Sequence, residues 1–276
     1  MAKKADTAEK SDTSEKEDAV EKQGGVYGRE EIFVRTRAMF GGEGMERLYN
    51  ARVAVFGVGG VGGHAVEALA RGGIGRLDLF DHDVVNVSNI NRQLAADMET
   101  VGQYKTDVMR KRIARIHPQA RVEVYHCFYL PENADDYDLS RYDYVVDAID
   151  TVAAKVELVV RSQAAGTPVI SCMGAGNKLD PTQLQVADIY DTGVCPLARV
   201  MRRELRARGV TRCPVVYSRE PARRPFFAPE CEENAKREAG ESSGHRFRAV
   251  PGSNSFVPAA AGLILAGYVI REIAGV

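Results

Sequence analysis

Tryptophan is absent, aromatic residues stand at 7%, and the 26 glycines follow no collagen-like period, while hydrophobic residues reach 45%. Together these exclude fibrous and wholly disordered classes. The five cysteines (Cys127, Cys172, Cys195, Cys213, Cys231) are odd in number, lie far apart and form no C-x-x-C pair, so no zinc ribbon is expected and a reduced, cytoplasmic setting is. Charge of one sign is also missing. A formal net charge of −1 excludes a uniformly basic nucleic-acid binder and leaves room for a local basic patch. No apolar stretch follows the first lysines, so no secretory signal is expected. The longest nearly apolar run, Phe256 to Ile270, contains Pro258 and falls short of the roughly 20 residues that span a bilayer. Burial of that run as a helix is expected in preference to peripheral membrane docking.

What is present is enough for one large domain or two small ones with a proper core: 276 residues. Residues 1–27 are nearly all polar, with five lysines against seven acids, and are expected to form a solvated tail. From Gly28 to residue 276 a single globular unit is expected, its nucleotide-binding half over about 50–172 and its substrate-side half over about 173–276. An amphipathic stretch, Ile32 to Leu48, leads into the apolar run Val53 to Phe56. Further strands are expected at Arg76–Asp81, Arg121–Tyr125, Tyr142–Ile149 and Pro168–Cys172, with helices between them, one marked by Val108, Met109, Ile113 and Ile116. Strand and helix alternating, with near-continuous apolar strands, predict a doubly wound, mostly parallel α/β sheet. Beyond Gly174-Ala175-Gly176 the pattern changes to a mixed or antiparallel extension: strands at Gln183–Tyr190 and Pro214–Ser218, an arginine-rich helix Pro196–Arg208, a long connection over Glu220–Arg248 and a last helix.

The sharpest local feature is Gly57-Val58-Gly59-Gly60-Val61-Gly62-Gly63, between a predicted strand and a predicted helix. That context gives G-x-G-x-x-G its meaning: a tight turn, backbone close to phosphate, and free N–H groups at a helix start. Asp81 ends the next strand, where a carboxylate can accept from ribose hydroxyls. The loop alone admits nicotinamide, flavin and ATP ligands. The segment after it favours ATP, because Asn89, Arg92 and Gln93 fall in a polar turn and Lys105 opens a helix. Hydride transfer needs no such cations, whereas attack at phosphorus does. The matching acid is Asp150, at the carboxyl end of the fourth strand, where it could hold Mg²⁺ against a triphosphate. The plainer alternative makes Arg92 and Lys105 surface ion pairs and Asp150 a helix cap.

Gly57-x-Gly59-Gly60-x-Gly62, Asp81-x-Asp83, Ser88-Asn89-Ile90-Asn91-Arg92-Gln93, Val101-Gly102-x-x-Lys105 and Asp147-x-x-Asp150 together resemble the adenylation domain shared by ubiquitin-activating enzymes and the bacterial activators of small sulfur carriers. Within that superfamily Gly174-Ala175-Gly176, Asp180-Pro181-Thr182-Gln183, Val215-Val216-Tyr217-Ser218 and Pro251-Gly252-Ser253 resemble the tRNA threonylcarbamoyladenosine dehydratase family. The resemblance covers residues 30–276. It implies that Asp81 binds ribose, Gly59 and Gly60 the phosphates, Asn89, Arg92 and Lys105 the triphosphate, and Asp150 the metal. Gly57, Gly62, Asp83 and Gln93 complete the expected nucleotide site, and Arg92, Lys105 and Asp150 its catalytic set. It also implies a homodimer, with Arg35 reaching into the partner's ATP site. The implied reaction adenylates the threonylcarbamoyl carboxylate on an adenosine beside the tRNA anticodon, and ring closure by a nitrogen of the same side chain then releases AMP.

Two features bear on the choice within the superfamily. Activators that pass a carrier to a thiol need an exposed cysteine, for which Cys195, Cys213 and Cys231 are candidates by location, yet Cys195 and Cys213 each precede a proline. Between Arg199 and Arg224 nine arginines face two glutamates, an excess of seven positive charges suited to a phosphate backbone, with Tyr217, Phe226 and Phe227 available for stacking. The leading expectation is therefore an ATP-dependent enzyme acting on tRNA. The alternatives are an activating enzyme for a ubiquitin-like sulfur carrier or sulfur-transfer partner, and a non-catalytic nucleotide-binding module. Neither DNA nor a membrane is an expected partner. None of the histidines is assigned chemistry, although His82 lies between two acids.

Overall fold

The computed structural model describes residues 27–226 and 251–276. The charged tail expected over 1–27 lies outside them apart from Tyr27, as do Phe227, Cys231, His245 and the middle of the long connection. Helices α1 (Arg29–Ile32) and α2 (Val34–Asn50) precede β1 (Arg52–Phe56), α3 (Gly62–Gly72) and β2 (Arg76–Phe80). Then come α4 (Lys105–Ile116), β3 (Arg121–Tyr125), β4 (Tyr144–Asp147), α5 (Val152–Ala164) and β5 (Val169–Cys172). The chain continues through β6 (Leu184–Asp188), α6 (Pro196–Ala207), β7 (Pro214–Ser218) and, after the undescribed stretch, α7 (Val257–Ala274).

The strands form one sheet in the order β3-β2-β1-β4-β5-β7-β6. Every neighbouring pair is parallel except β6 and β7. The extension after Cys172 therefore continues the first half's sheet, as the mixed architecture expected. Sequence order reverses direction between β1 and β4, and this switch point opens a crevice at the strands' carboxyl ends.

Alternation along each strand divides the core. Val53 and Val55 of β1, Leu77 and Leu79 of β2, and Val146 of β4 pack with Met45, Leu48, Leu69, Met109, Ile113 and Leu265 on one face. Ala54, Phe56, Phe80 and Val145 pack with Leu158, Met201 and Leu205 on the other. A fully buried Leu or Phe of this kind contributes roughly 1.5–3 kcal/mol. The registered ends Phe56↔Phe80↔Tyr125 make a ladder of stacked rings, with centroids 4.1 and 4.4 Å apart.

Several expected boundaries shift for local reasons. The strand expected at Gln183–Tyr190 shortens to Leu184–Asp188 because carboxylates close a 3₁₀ turn on each side of it. Asp180 accepts from the Thr182 N–H, and Asp188 from the Tyr190 N–H. The amphipathic N-terminal stretch is broken at Gly41, whose φ of 71° leaves the helical region. The strand expected at Tyr142–Ile149 is a strand only over Tyr144–Asp147, because Ala148–Asp150 turn into the crevice.

The last helix runs to Ala274, past the apolar run that ended at Ile270. It is long and apolar enough to cross a membrane by length and composition, but half of it is buried inside the protein. The burial is against α3: a Cβ on Gly72 would meet Ile270, and one on Gly262 would come within 2.3 Å of the Val61 carbonyl. Close helix contact thus depends on the two glycines.

Candidate functional site

The switch-point crevice has a volume of about 380 Å³. Its floor is the glycine turn. Gly57 has φ 87°, and a Cβ there would lie 2.6 Å from the Ala148 carbonyl oxygen, so the turn after β1 sits against the turn after β4. Gly62 is equally constrained, since its Cβ would overlap the Gly57 carbonyl. It starts α3 and does not line the crevice; Gly57, Gly59 and Gly60 do. No side chain caps the start of α3; the Gly63 N–H there donates instead to the Gly59 carbonyl at 3.0 Å.

Asp81 holds this turn from the neighbouring strand. Its carboxylate accepts from the Val58 N–H at 2.6 Å and from the Asp83 N–H at 2.8 Å. Lys105 is placed by a short ladder: the Val85 N–H donates to the Gln103 carbonyl, and the Lys105 N–H to the Asp83 carbonyl. Its ammonium then reaches Asp83 at 2.6 Å. Lys105 does form an ion pair, but its side chain is 5% exposed and lies in the crevice wall, not on the open surface.

The polar turn beyond β2 presents Arg92 and Gln93. Asn89 accepts from the Asn86 N–H through its side chain, and its carbonyl accepts from the Arg92 and Gln93 N–H groups. Asn89 is therefore buried under the turn and lies outside the lining. Arg92 donates to the Ser88 carbonyl and to Asn91 at 2.9 Å, and its stem packs over Gly60. Gln93 is buried beside Gly59 with its Oε1 unpartnered, an acceptor that a ligand hydroxyl or amine can fill.

Asp150 follows β4 on the opposite wall, exposed to the crevice and receiving the Thr151 hydroxyl at 3.3 Å. It does not cap α5, whose N-cap residue is Thr151. Arg92, Lys105 and Asp150 thus line one crevice, together with Asp81, Asp83 and Gln93. Arg35 is exposed on α2 and is not part of it. Ligand atoms of Asp81, His82 and Asp83 lie within 4.8 Å of one another.

Other walls come from residues that the motifs did not single out. Cys127, Phe128 and Tyr129 follow β3, and Ala175, Gly176, Pro251, Ser253 and Pro258 close the other side. Phe128 packs on the His82 ring at 4.5 Å. The signal for the β3 residues was available: Tyr125 ends β3 in register with Phe80, so the positions after it open at the same sheet edge. The far wall depends on Asn177, which exchanges hydrogen bonds with Gly252 across 75 positions.

The cysteine candidates fare poorly as nucleophiles. Cys195 and Cys213 are buried, and burial pushes the thiols of Cys172 and Cys213 up to about 12. Cys127 lines the crevice, and burial raises its thiol as well. Cys231 lies outside the described residues.

The arginine-rich stretch is partly committed to packing. Arg202 donates to the Thr192 carbonyl, Arg206 lies 5.0 Å over the Tyr190 ring, and Arg203 and Arg208 pair with Glu204. Arg199, Arg212, Arg219 and Arg224 are exposed. Tyr217 is buried and bonded by Gln185, which removes it as a stacking surface, whereas Phe226 is fully exposed.

Comparison with known proteins agrees with the fold. The ThiF family model matches residues 33–275. A Bacillus subtilis (strain 168) protein, tRNA threonylcarbamoyladenosine dehydratase, is 43% identical over 244 residues, covering 87% of this chain and 94% of its own. The Escherichia coli (strain K12) protein of that name is 41% identical over 175 residues, 63% of this chain and 65% of its own. Among solved structures, the E. coli tRNA N6-threonylcarbamoyladenosine dehydratase in complex with ATP superposes with a TM-score of 0.76 at 32% identity, covering 89% of this chain and 95% of that one.

Proposed function

The chain belongs to the ThiF family, and from that premise we propose that it is an ATP-dependent enzyme acting on the carboxylate of N6-threonylcarbamoyladenosine in tRNA. The observation that carries this reading is the convergence of the glycine turn, Arg92, Lys105 and Asp150 on one crevice at the sheet's switch point. A carboxylate oxygen of the modified base attacks the α-phosphorus of ATP, the bond to the β-phosphate oxygen breaks, and pyrophosphate leaves. A nitrogen of the same threonylcarbamoyl group then attacks the acyl carbon and loses its proton, and AMP departs with the former carboxylate oxygen. The net change is loss of water from the nucleoside. Buried thiols are consistent with a reaction that needs no enzyme nucleophile.

Each group has a task in this scheme. Backbone N–H groups of the turn and the start of α3 hold phosphate oxygens, and Asp81 accepts from the ribose while bracing the turn. Arg92 and Lys105 neutralise charge as pyrophosphate forms, with Asp83 holding Lys105 until phosphate competes for it. Asn89 acts by shaping the turn that carries Arg92. Asp150 is a hard oxygen donor exposed to the crevice, and such a donor fits Mg²⁺. When bound, the ion would supply charge neutralisation on the triphosphate.

The remaining parts of the proposal are a single domain from residue 28 to 276, a cytoplasmic homodimer in which Arg35 serves the partner's site, and tRNA contact through the exposed arginines of the Arg199–Arg224 region. An ATP–pyrophosphate exchange assay tests the reading. Exchange with tRNA carrying threonylcarbamoyladenosine is expected. Exchange only with a small Gly-Gly-ending carrier protein would replace it with carrier activation, and exchange with neither would leave a nucleotide-binding module.

A further inference from the structure

Beneath the Asp150 wall lies a charged pair that the chemistry above does not use. Lys155 and Asp147 are both fully buried, and the ammonium lies 2.9 Å from the carboxylate. The Ser171 hydroxyl donates to the same carboxylate oxygen. Its other oxygen accepts from the Ile149 N–H at 3.1 Å, and Lys155 donates to the Ile149 carbonyl at 3.1 Å. Both polar groups of Ile149 are thus tied to one ion pair, and the residues on either side of it, Ala148 and Asp150, line the crevice.

Stability does not explain this arrangement. A buried pair can usually be replaced by neutral side chains of similar volume at little cost, because desolvation offsets its attraction. Lys155 is also the fourth residue of α5, in the first turn, where the helix dipole disfavours a cation. A group held at such cost next to a site is accounted for by what it holds still.

We propose that Lys155 is a positioning residue: with Asp147 and Ser171 it locks the Ala148–Asp150 turn, and so fixes where the Asp150 carboxylate stands against the nucleotide. This rests on the reading above in which Asp150 acts on the triphosphate.

The test uses the full chain and three variants: the neutral pair Asp147→Asn/Lys155→Met, Lys155→Arg, and Ser171→Ala. Urea midpoints are measured beside exchange kinetics with modified tRNA and calorimetric ATP binding with Mg²⁺. The neutral pair is expected to keep the wild-type midpoint while kcat falls on the order of 10²-fold, the scale of a misplaced catalytic group, with KM for tRNA unchanged. Lys155→Arg is expected to recover most of that loss. A neutral pair that folds and turns over like wild type overturns the inference. If the neutral pair does not fold, Ser171→Ala decides: a lower kcat at an unchanged midpoint supports the inference, and an unchanged kcat overturns it. If wild type exchanges with no substrate, the functional reading falls separately, and the ATP titration decides the inference. Weaker binding by the folded variant supports it, and equal binding overturns it.

Discussion

The Asp81 carboxylate accepts a hydrogen bond from the Val58 N–H at 2.6 Å, so the acid that follows β2 braces the glycine turn that follows β1. In the proposed function this one side chain both shapes the phosphate site and offers an acceptor to the ribose. Asp81→Ala is expected to weaken ATP binding by roughly 1.5–3 kcal/mol, the scale of a hydrogen bond to a charged group. Isothermal titration would show this, and wild-type affinity would remove Asp81 from the site.

Arg92→Ala and Asp150→Ala should each abolish AMP formation and leave the fold intact. Both side chains lie at the crevice and neither is part of either core cluster. AMP release under single-turnover conditions, measured beside circular dichroism, checks this. Normal turnover in either variant would take that residue out of the catalytic set.

Two glycines with similar backbones should respond differently to alanine. Gly57 has φ 87° and a carbonyl oxygen 2.6 Å from where a Cβ would sit, whereas Gly102 has φ 85° and open space around it. Gly102→Ala should cost about 1 kcal/mol, the ordinary strain of that conformation. Gly57→Ala should cost clearly more and also lower ATP affinity, because the turn must move away from Ala148. Equal urea midpoints would contradict this.

His117, at the end of α4 with its ring edge-on to Phe33 at 4.8 Å, should make the fold sensitive to acid. Burial, assisted by the charge of Arg29, lowers its pKa to about 4. Between the unfolded value near 6.5 and about pH 4, the unfolded chain takes up a proton that the folded ring refuses, so stability falls as pH falls. The loss across that window is roughly 3 kcal/mol. Above pH ~6.5 both states hold the neutral ring and the effect vanishes. His117→Leu should remove this part of the pH slope in urea titrations.

Binding of tRNA should weaken with salt, and replacing an exposed arginine should lower the slope of log K against log salt. Arg199→Ala or Arg219→Ala is expected to reduce it by about one, whereas Arg202→Ala should act mainly on stability through Thr192. Filter binding over a salt series distinguishes the two.

Features set by short-range chemistry were legible in the sequence. The glycine turn needs only a strand before it and a helix after it, and Gly57, Asp81, Arg92, Lys105 and Asp150 could be named from spacing along alternating elements. What escaped depends on register and on crossovers. Asn89 carries the motif's signature, but it shapes the turn from below because its amide closes onto Asn86. Phe128 and Tyr129 become walls only once β3 lies beside β2, and Pro251 and Ser253 only once Asn177 draws Gly252 in. The arginine stripe looked uniform because charge counting does not see the Tyr190 ring or the Thr192 carbonyl. Lys155 went unnoticed for a related reason: a lysine four residues into a helix ordinarily faces water.

Pro258, in the first turn of α7, packs 3.3 Å from where a Cβ on Gly60 would stand and forms part of the crevice. During synthesis the glycine turn emerges about two hundred residues ahead of this proline. The glycine turn is therefore made long before the wall that Pro258 supplies, and the complete crevice arises only after α7 has left the ribosome.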